Sequence, residues 1–142
     1  SNPNLIILSC VLELERGNKN DILAKISENI KKRLKRQPKE FSAGSFFQNP
    51  IVKDKKLIEE FEEETRKRCR SDRFPAGWLI ERAGLKGKRI GGAMISEKHA
   101  NFIVNIGNAT AENVIILGSI IKQQVRDKFG IELQEEIQFV GF

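Results

Sequence analysis

The sequence of 142 residues has no tyrosine, one histidine and two cysteines, and it has no long apolar run. Because Cys10 and Cys69 stand far apart, they indicate reduced thiols rather than a disulfide framework. One histidine and two cysteines give too few ligands for a structural zinc site, so we expect no bound metal. No apolar segment reaches the roughly 20 residues of a membrane span, which argues against a membrane protein.

The composition is that of a folded domain, with 39% hydrophobic and 31% charged residues. A chain of this length buries enough apolar surface to fold as one domain without a disulfide or a metal. The 25 basic and 19 acidic residues give a net charge of +6. This excess favours an anionic partner: a nucleic acid, a phosphorylated small molecule or a membrane surface.

The spacing of apolar residues predicts helices interleaved with short strands. Isoleucine or leucine recurs every four residues from Ile22 to Leu34, which predicts a helix with one buried stripe. Residues 41–50 are rich in small side chains and are predicted as a loop. The predicted helices cover residues 18–37, 54–68, 75–84 and 110–129, and the predicted strands cover residues 5–14, 90–95, 102–106, 131–133 and 137–140. The fold class is therefore α+β with a mixed β-sheet.

Several polar side chains are candidates for a site. Arg33 and Arg36 share a helix face and are able to grip a diphosphate or carboxylate, although they equally suit a solvated helix end. Ser45 follows small residues that let the backbone approach a ligand, although most such serines satisfy a local turn. The only histidine, His99, is more often a surface or hydrogen-bonding residue than a catalyst, and Glu136 suits an exposed turn more readily than a site.

The glycine- and lysine-rich segment 84–92 carries no recognised nucleotide-binding motif. It matches neither a P-loop nor a dinucleotide fingerprint, since both need a preceding strand and a following helix. The first predicted helix also lacks the aromatic side chains on which nucleic-acid bases stack. Nucleic-acid binding is therefore the weaker alternative.

Five short motifs follow one another along the chain: AGSFFQNP at 43–50, AGWLIE at 76–81, GKRIGGA at 87–93, KHANF at 98–102 and EIQFVG at 136–141. Their order and spacing resemble those of the UDP-N-acetylenolpyruvoylglucosamine reductases, cytoplasmic bacterial flavoenzymes of peptidoglycan synthesis. The resemblance implies that residues 1–16 end an FAD-binding region and residues 17–142 form the C-terminal substrate-binding domain. Ser1 and Asn2 are typical of residues left by an expression vector.

The resemblance implies the reduction of an enolpyruvyl ether. NADPH reduces FAD, a hydride passes to the terminal carbon of the substrate, and the resulting enolate is protonated at the neighbouring carbon. Ser45 matches the family's proton donor, a weak acid that works only against a strongly basic enolate held in contact. Glu136 matches the family's catalytic glutamate, which we expect to be protonated or paired with an arginine outside this sequence.

The resemblance also implies contacts with the substrate, UDP-N-acetylglucosamine enolpyruvate. Arg33, Arg36 and Asn49 match residues that contact substrate in the family, and His99 stands where some relatives use glutamine. The excess of positive charge suits the anionic diphosphate and carboxylate. The predicted partners are this substrate and the FAD-binding domains of the same polypeptide, without nucleic acid or membrane.

The sequence departs from the family pattern at two positions. Gln48 and Gln138 stand where lysine and arginine are frequent, and the absence of tyrosine matches relatives without a loop that covers the substrate. Because FAD would be bound mainly by a region outside this sequence, we expect the chain alone to be inactive. The alternative function is a non-catalytic basic module that binds RNA or a nucleotide ligand, and RNA binding would weaken steeply with salt.

Overall fold

The computed structural model describes residues 6–69 and 73–141, which belong to two units. The first unit ends at Lys35, and the second begins at Arg36. Within the described ranges, no helix combines the length and the apolar character that crossing a bilayer requires.

The first unit contains an irregular segment and most of one helix. Helix α1 spans Lys19–Arg36, and the side chain of Asn18 accepts hydrogen bonds from the backbone N–H groups of Asn20 and Asp21, as predicted for a cap. Residues 6–18 have no regular structure, so the strand predicted at 5–14 is wrong for its described part, and Leu5 lies outside the described residues. A strand needs hydrogen-bonded neighbours, and the sheet described below does not include this segment.

The apolar stripe of α1 is exposed. Its side chains keep 46% to 58% of their surface accessible; they are Ile22, Ile26, Ile30 and Leu34. The prediction that this stripe is buried is therefore wrong for the described structure. Periodicity shows that a helix has an apolar face, whereas burial also needs a second surface that covers this face.

The second unit is an α+β fold built on a four-stranded sheet. Its strands have the order β1-β4-β3-β2, and all neighbours are antiparallel. The α+β class is confirmed, but the sheet is antiparallel rather than mixed, because β2, β3 and β4 follow one another through short connections. The elements are β1 Phe41–Ser45, α2 Lys55–Thr65, α3 Ala76–Arg82, β2 Arg89–Ile90, β3 Ala93–Ile95, β4 Phe102–Asn105 and α4 Ala111–Phe129.

Four segments of the second unit differ from their predicted structure. β1 lies inside the predicted loop at 41–50. The strand predicted at 90–95 is a hairpin, because the chain turns at Gly91, whose φ of 53° is favoured by glycine. The strands predicted at 131–133 and 137–140 are wrong, since this part of the chain forms only an isolated bridge between Phe47 and Glu135.

The helix starts lie within one residue of the predicted ones, and α4 ends at Phe129 as predicted, whereas α2 ends at Thr65 rather than at residue 68. The Asp54 carboxylate accepts hydrogen bonds from the first turn of α2, and Thr110 and Asn113 form a capping box at α4. Gly130 ends α4 with a φ of 66°, in the left-handed region. The helix ends therefore depend on local side-chain chemistry.

The core of the second unit lies between the sheet and the helices α3 and α4. Its fully buried side chains include Leu79, Ile80, Ile95, Leu117 and Ile121. An aromatic cluster extends this core, with ring centroids 5.3 to 5.9 Å apart; its members are Phe61, Phe74 and Trp78. This cluster supports the cavity described next, which Phe61 and Trp78 also line.

Candidate functional site

A cavity of about 380 Å³ lies where the end of β1, the start of α3 and the segment before β4 meet. Three of the predicted site residues, Ser45, Asn49 and His99, line it together. Further polar side chains in its wall are Thr65, Lys67, Glu81, Lys98 and Asn101. The fold thus brings together side chains that are far apart in the sequence.

Ser45 is half-buried at the end of β1. The register of β1 shifts between Ser42 and Ser45, and Gly44 within this bulge has a φ of 90°. Among the described residues the Ser45 hydroxyl makes no hydrogen bond, whereas Ser42 Oγ accepts one from the backbone N–H of Gly44 at 3.4 Å. The serine that satisfies a local turn is therefore Ser42, and the Ser45 hydroxyl is available to a ligand.

The segment after Ser45 is anchored in the core by two phenylalanine side chains. Phe46 and Phe47 are 2% and 1% exposed, and their ring centroids lie 4.8 Å apart. Two adjacent aromatic side chains in the core leave the backbone of this segment little freedom.

Glu136 reaches the neighbourhood of Ser45 through the backbone. Its N–H donates a 2.9 Å hydrogen bond to the carbonyl oxygen of Phe46, and the N–H of Gln48 donates one of 2.9 Å to the carbonyl of Gln134. Residues 134–136 therefore run beside residues 46–48. The Glu136 side chain is exposed, does not line the cavity, and makes no hydrogen bond or ion pair with the part of the chain that the structure describes.

The neighbouring carboxylate, Glu135, has structural partners. It accepts a 2.9 Å hydrogen bond from Lys122 Nζ. Burial opposes its ionisation, but the hydrogen bond and charge of Lys122, with a backbone hydrogen bond, together hold the pKa of Glu135 below its usual value. The Gln48 amide donates to the backbone oxygen of Glu135 at 3.2 Å. Gln48, a departure from the family pattern, thus helps to hold this segment in place.

His99 is a half-buried side chain of defined orientation. Its Nδ1 accepts a 3.3 Å hydrogen bond from the N–H of Asn101, and its ring packs edge-on against Phe102 with centroids 4.8 Å apart. Since Nδ1 is an acceptor, the proton of the neutral ring is on Nε2. Burial, reinforced by the charge of Lys86, lowers the pKa of His99. His99 is therefore suited to act as a neutral hydrogen-bond donor.

The start of α3 is fixed by contacts with the cavity wall. Asn49 Oδ1 accepts a 3.0 Å hydrogen bond from the N–H of Ala76, whereas the N-cap residue Pro75 supplies no side-chain cap. A Cβ atom at Gly77 would stand 3.1 Å from Cε1 of His99, tighter than most real contacts. Asn49 therefore has a structural role in addition to its predicted contact with substrate.

The predicted arginines are both exposed and lie near the end of α1. Arg33 belongs to the first unit. Arg36, the first residue of the second unit, does not line the cavity. The lysine side chains in the cavity wall are Lys67 and Lys98, which sequence reasoning missed. Lys98 directly precedes His99 in the motif at 98–102, and this position next to a predicted site residue indicates that Lys98 belongs to the same site.

Other parts of the described structure offer less for a site. No group of three or more histidine, cysteine, aspartate or glutamate side chains is arranged there to hold a metal ion. Among the described residues Cys10 and Cys69 form no disulfide, and Sγ of Cys69 donates to the backbone oxygen of Arg73 at 3.3 Å. A cavity of about 480 Å³ along α4 contains none of the predicted site residues.

The fold and the cavity thus define an α+β domain with a polar, ligand-sized pocket. Residues 36–140 match the family of the "UDP-N-acetylenolpyruvoylglucosamine reductase, C-terminal domain". The chain is 45% identical, over 97% of its length, to the UDP-N-acetylenolpyruvoylglucosamine reductase of Fervidobacterium nodosum, and 42% identical, over 94%, to that of Thermotoga petrophila. The crystal structure of the Thermus caldophilus enzyme has a TM-score of 0.57 and 35% identity over 87% of this chain.

The chain belongs to the UDP-N-acetylenolpyruvoylglucosamine reductase family, in which it corresponds to the C-terminal domain. It spans 38% and 40% of the length of the two bacterial relatives, and 37% of the T. caldophilus chain. The resemblance found in the motifs is confirmed, and the alternative of a basic RNA-binding module is not favoured.

Proposed function

We propose that residues 17–142 form the substrate-binding and proton-donating domain of a reductase that converts UDP-N-acetylglucosamine enolpyruvate to UDP-N-acetylmuramate. Residues 1–16 would end the FAD-binding region of the same polypeptide, and the enzyme would act in the bacterial cytoplasm. The family match over residues 36–140 supports this proposal. The observation that carries it is the hydrogen bond from the N–H of Glu136 to Phe46, because Phe46 directly follows Ser45.

In this proposal Ser45 donates the proton. Addition of a hydride to the terminal carbon of the enolpyruvyl group leaves negative charge on the neighbouring carbon and on the carboxylate. That carbon takes the Ser45 proton, forming a C–H bond and leaving an alkoxide that regains a proton from water. A serine hydroxyl is a weak acid, so the step needs a strongly basic enolate in contact with it. The hydroxyl suits this role because no described residue accepts its hydrogen bond.

Glu136 stabilises the enolate in this proposal. A carboxylate beside an enolate would repel it, so Glu136 acts in its protonated form or paired with an arginine of another part of the polypeptide. The Glu136 side chain is exposed, and it makes no ion pair with any described residue. It is therefore accessible to such a partner. Glu135 is already engaged with Lys122, so it is the less suitable of the two carboxylates.

The substrate carries a diphosphate and a carboxylate, and cationic or donor groups would bind them. Lys67 and Lys98 supply positive charge in the cavity wall, and His99 supplies a neutral donor from Nε2. Arg33 and Arg36 of α1 stay predictions as further substrate contacts. The lysines thus supply the positive charge opposite the diphosphate and carboxylate, and His99 does not need to be protonated.

The glycine-rich segment 84–92 is not a phosphate-binding loop. It forms a hairpin rather than the start of a helix, and a Cβ at Gly92 would stand 2.0 Å from the backbone oxygen of Gly107. In this proposal FAD, which would supply the hydride and be reduced by NADPH, is held mainly by another region of the polypeptide.

The test is the Ser45→Ala variant of the complete reductase polypeptide. Stopped-flow absorbance measures flavin reduction by NADPH and flavin reoxidation by the enolpyruvyl substrate separately. We expect the first rate to be unchanged and the second to fall by about 10²- to 10⁴-fold, the usual contribution of a positioned proton donor. Ser119→Ala is the control, since Ser119 is exposed on α4 and does not line the cavity, and it should change neither rate. Equal loss of both rates in Ser45→Ala would show that the serine is structural.

A further inference from the structure

We propose that Asn101 is a positioning residue for Ser45 and His99, an inference that rests on the proposed function. Asn101 is buried, with 4% of its surface exposed. Its Nδ2 donates a 2.8 Å hydrogen bond to the carbonyl oxygen of Phe47, and its Oδ1 accepts one of 3.0 Å from the N–H of Phe47. The side-chain amide thus binds both backbone groups of one residue, as a neighbouring strand would.

The backbone of Asn101 contacts both sides of the cavity as well. Its carbonyl accepts a 2.8 Å hydrogen bond from the N–H of Phe46, and its N–H donates to Nδ1 of His99 at 3.3 Å. The carbonyl of Phe46 in turn accepts from the N–H of Glu136. Asn101 therefore connects the serine segment, the histidine and the glutamate segment through consecutive hydrogen bonds.

This connection is needed because β1 is irregular beside Ser45. The register with β4 shifts between Ser42 and Ser45, and Ser45 is paired with Phe102, the first residue of β4. Because β4 begins at Phe102, the clamp on Phe47 extends the pairing beyond the end of the ladder, in the segment that follows the serine. Only an amide both donates and accepts in this geometry, since alanine does neither and aspartate cannot donate when ionised.

The test compares Asn101→Ala and Asn101→Asp in the complete reductase polypeptide. Aspartate keeps the size of the side chain and its acceptor, but it replaces the donor to Phe47 by a carboxylate oxygen that repels the Phe47 carbonyl oxygen. We expect flavin reduction by NADPH to be unchanged and substrate-dependent reoxidation to fall about 10²-fold, because misplacement of a catalytic group by about 1 Å has that effect. Raised temperature sensitivity alone, with normal reoxidation, would overturn the proposal.

Asn113→Ala is the matched control. Its Oδ1 also accepts two backbone hydrogen bonds, from Gly92 at 3.3 Å and Thr110 at 3.2 Å, but it lies at the start of α4 and does not line the cavity. This variant should lose stability and keep its reoxidation rate. An equal fall of that rate in Asn113→Ala would mean that loss of stability, and not position, explains the effect.

A double variant separates positioning from independent action. If Asn101 acts chiefly through Ser45, adding Asn101→Ala to Ser45→Ala should slow reoxidation by much less than Asn101→Ala slows the wild type, the remainder arising through His99, whereas independent effects would multiply in full. Multiplication would overturn the proposal, as would loss of the circular dichroism signal in both Asn101 variants, which would make the residue a requirement of the whole fold. A wild-type polypeptide without substrate-dependent reoxidation would instead refute the proposed function.

Discussion

Gly118 of α4 lies against the ring of Phe46 so closely that a Cβ atom would stand 2.8 Å from its Cε1 and 2.9 Å from its Cζ. Phe46 is 2% exposed, so its ring has little space into which to move. Because Phe46 directly follows Ser45, a helix remote in sequence takes part in placing the serine. Only glycine at position 118 permits this approach.

We predict that Gly118→Ala destabilises the chain. Alanine gains about 1 kcal/mol of helix propensity, but overpacking against a fixed ring costs typically about 1 to 3 kcal/mol and is the larger effect. Urea unfolding should therefore give a lower midpoint for the variant. Ser119→Ala, at the next and exposed position of α4, is the control and should not lower it. An unchanged or higher midpoint in Gly118→Ala would contradict this account of the packing.

Gly44→Ala should impair both stability and the site. Gly44 has a φ of 90° and no atom within 4 Å of an added Cβ, so the cost is backbone strain, on the order of 1 to 2 kcal/mol. Gly84→Ala is the matched control, with a φ of 74° and an equally open position. Both variants should lose similar stability in urea, but only Gly44→Ala should slow substrate-dependent reoxidation in the complete polypeptide. Similar reoxidation rates in the two would mean that the bulge does not orient Ser45.

Acidification should destabilise the chain through His99. Its pKa in the folded state is lowered by burial, so below the ordinary histidine value of about 6.5 the unfolded chain takes up the proton first. The contribution of the neutral ring is complete above that value and decreases as the pH falls toward the folded-state pKa. Since His99 is the only histidine, His99→Gln should remove this part of the slope. Thermal melts between about pH 8 and about pH 5 test this, and parallel curves would contradict it.

Substitutions of Asn49 should separate its two roles. Asn49→Ala removes the acceptor for the N–H of Ala76 and should cost about 0.5 to 2 kcal/mol, the range for a lost helix cap. Asn49→Asp keeps the acceptor and should keep most of the stability. Its added negative charge should nevertheless weaken binding of the anionic UDP-N-acetylglucosamine enolpyruvate, measured by isothermal titration calorimetry. Wild-type affinity in Asn49→Asp would show that this side chain does not face the anion.

The 142-residue chain alone should be colourless and should not oxidise NADPH. In the proposed function FAD is held mainly by another region of the polypeptide, and the glycine-rich segment 84–92 forms a hairpin rather than a phosphate-binding loop. Absorbance spectra after incubation with FAD and gel filtration measure binding, and NADPH absorbance measures turnover. A yellow sample with enolpyruvate-dependent NADPH oxidation would contradict the prediction.

Local signals were enough to predict the helices of the second unit. Asp54, Thr110 and Gly130 act through bonds or dihedral angles within one helical turn, so their effect is visible in the sequence. β1 was missed because Gly44 is typical of a loop, whereas here it forms a bulge in a paired strand. Pairing with β4 depends on residues far along the chain, and such partners are not encoded in a local pattern.

The site also combines features visible in a short stretch of sequence with contacts between residues far apart along the chain. The motif containing Ser45 identified the serine through family resemblance, but its contact with the segment of Glu136 required the fold. Asn101 was missed because an asparagine ahead of a strand is usually part of a turn, and its clamp on Phe47 joins distant parts of the chain. The prediction that the apolar stripe of α1 is buried was wrong for a related reason. Burial depends on a second surface that covers the stripe, and the pattern within the helix does not contain that information.

The hydrogen bond between Glu136 and Phe46 also constrains when the domain can become competent during its synthesis. A ribosome makes Ser45 long before it makes the glutamate, and a nascent chain still lacking residues 134–136 would have its serine segment unpaired on one side. The pairing beside the serine segment can therefore form only after residues 134–136 have left the exit tunnel.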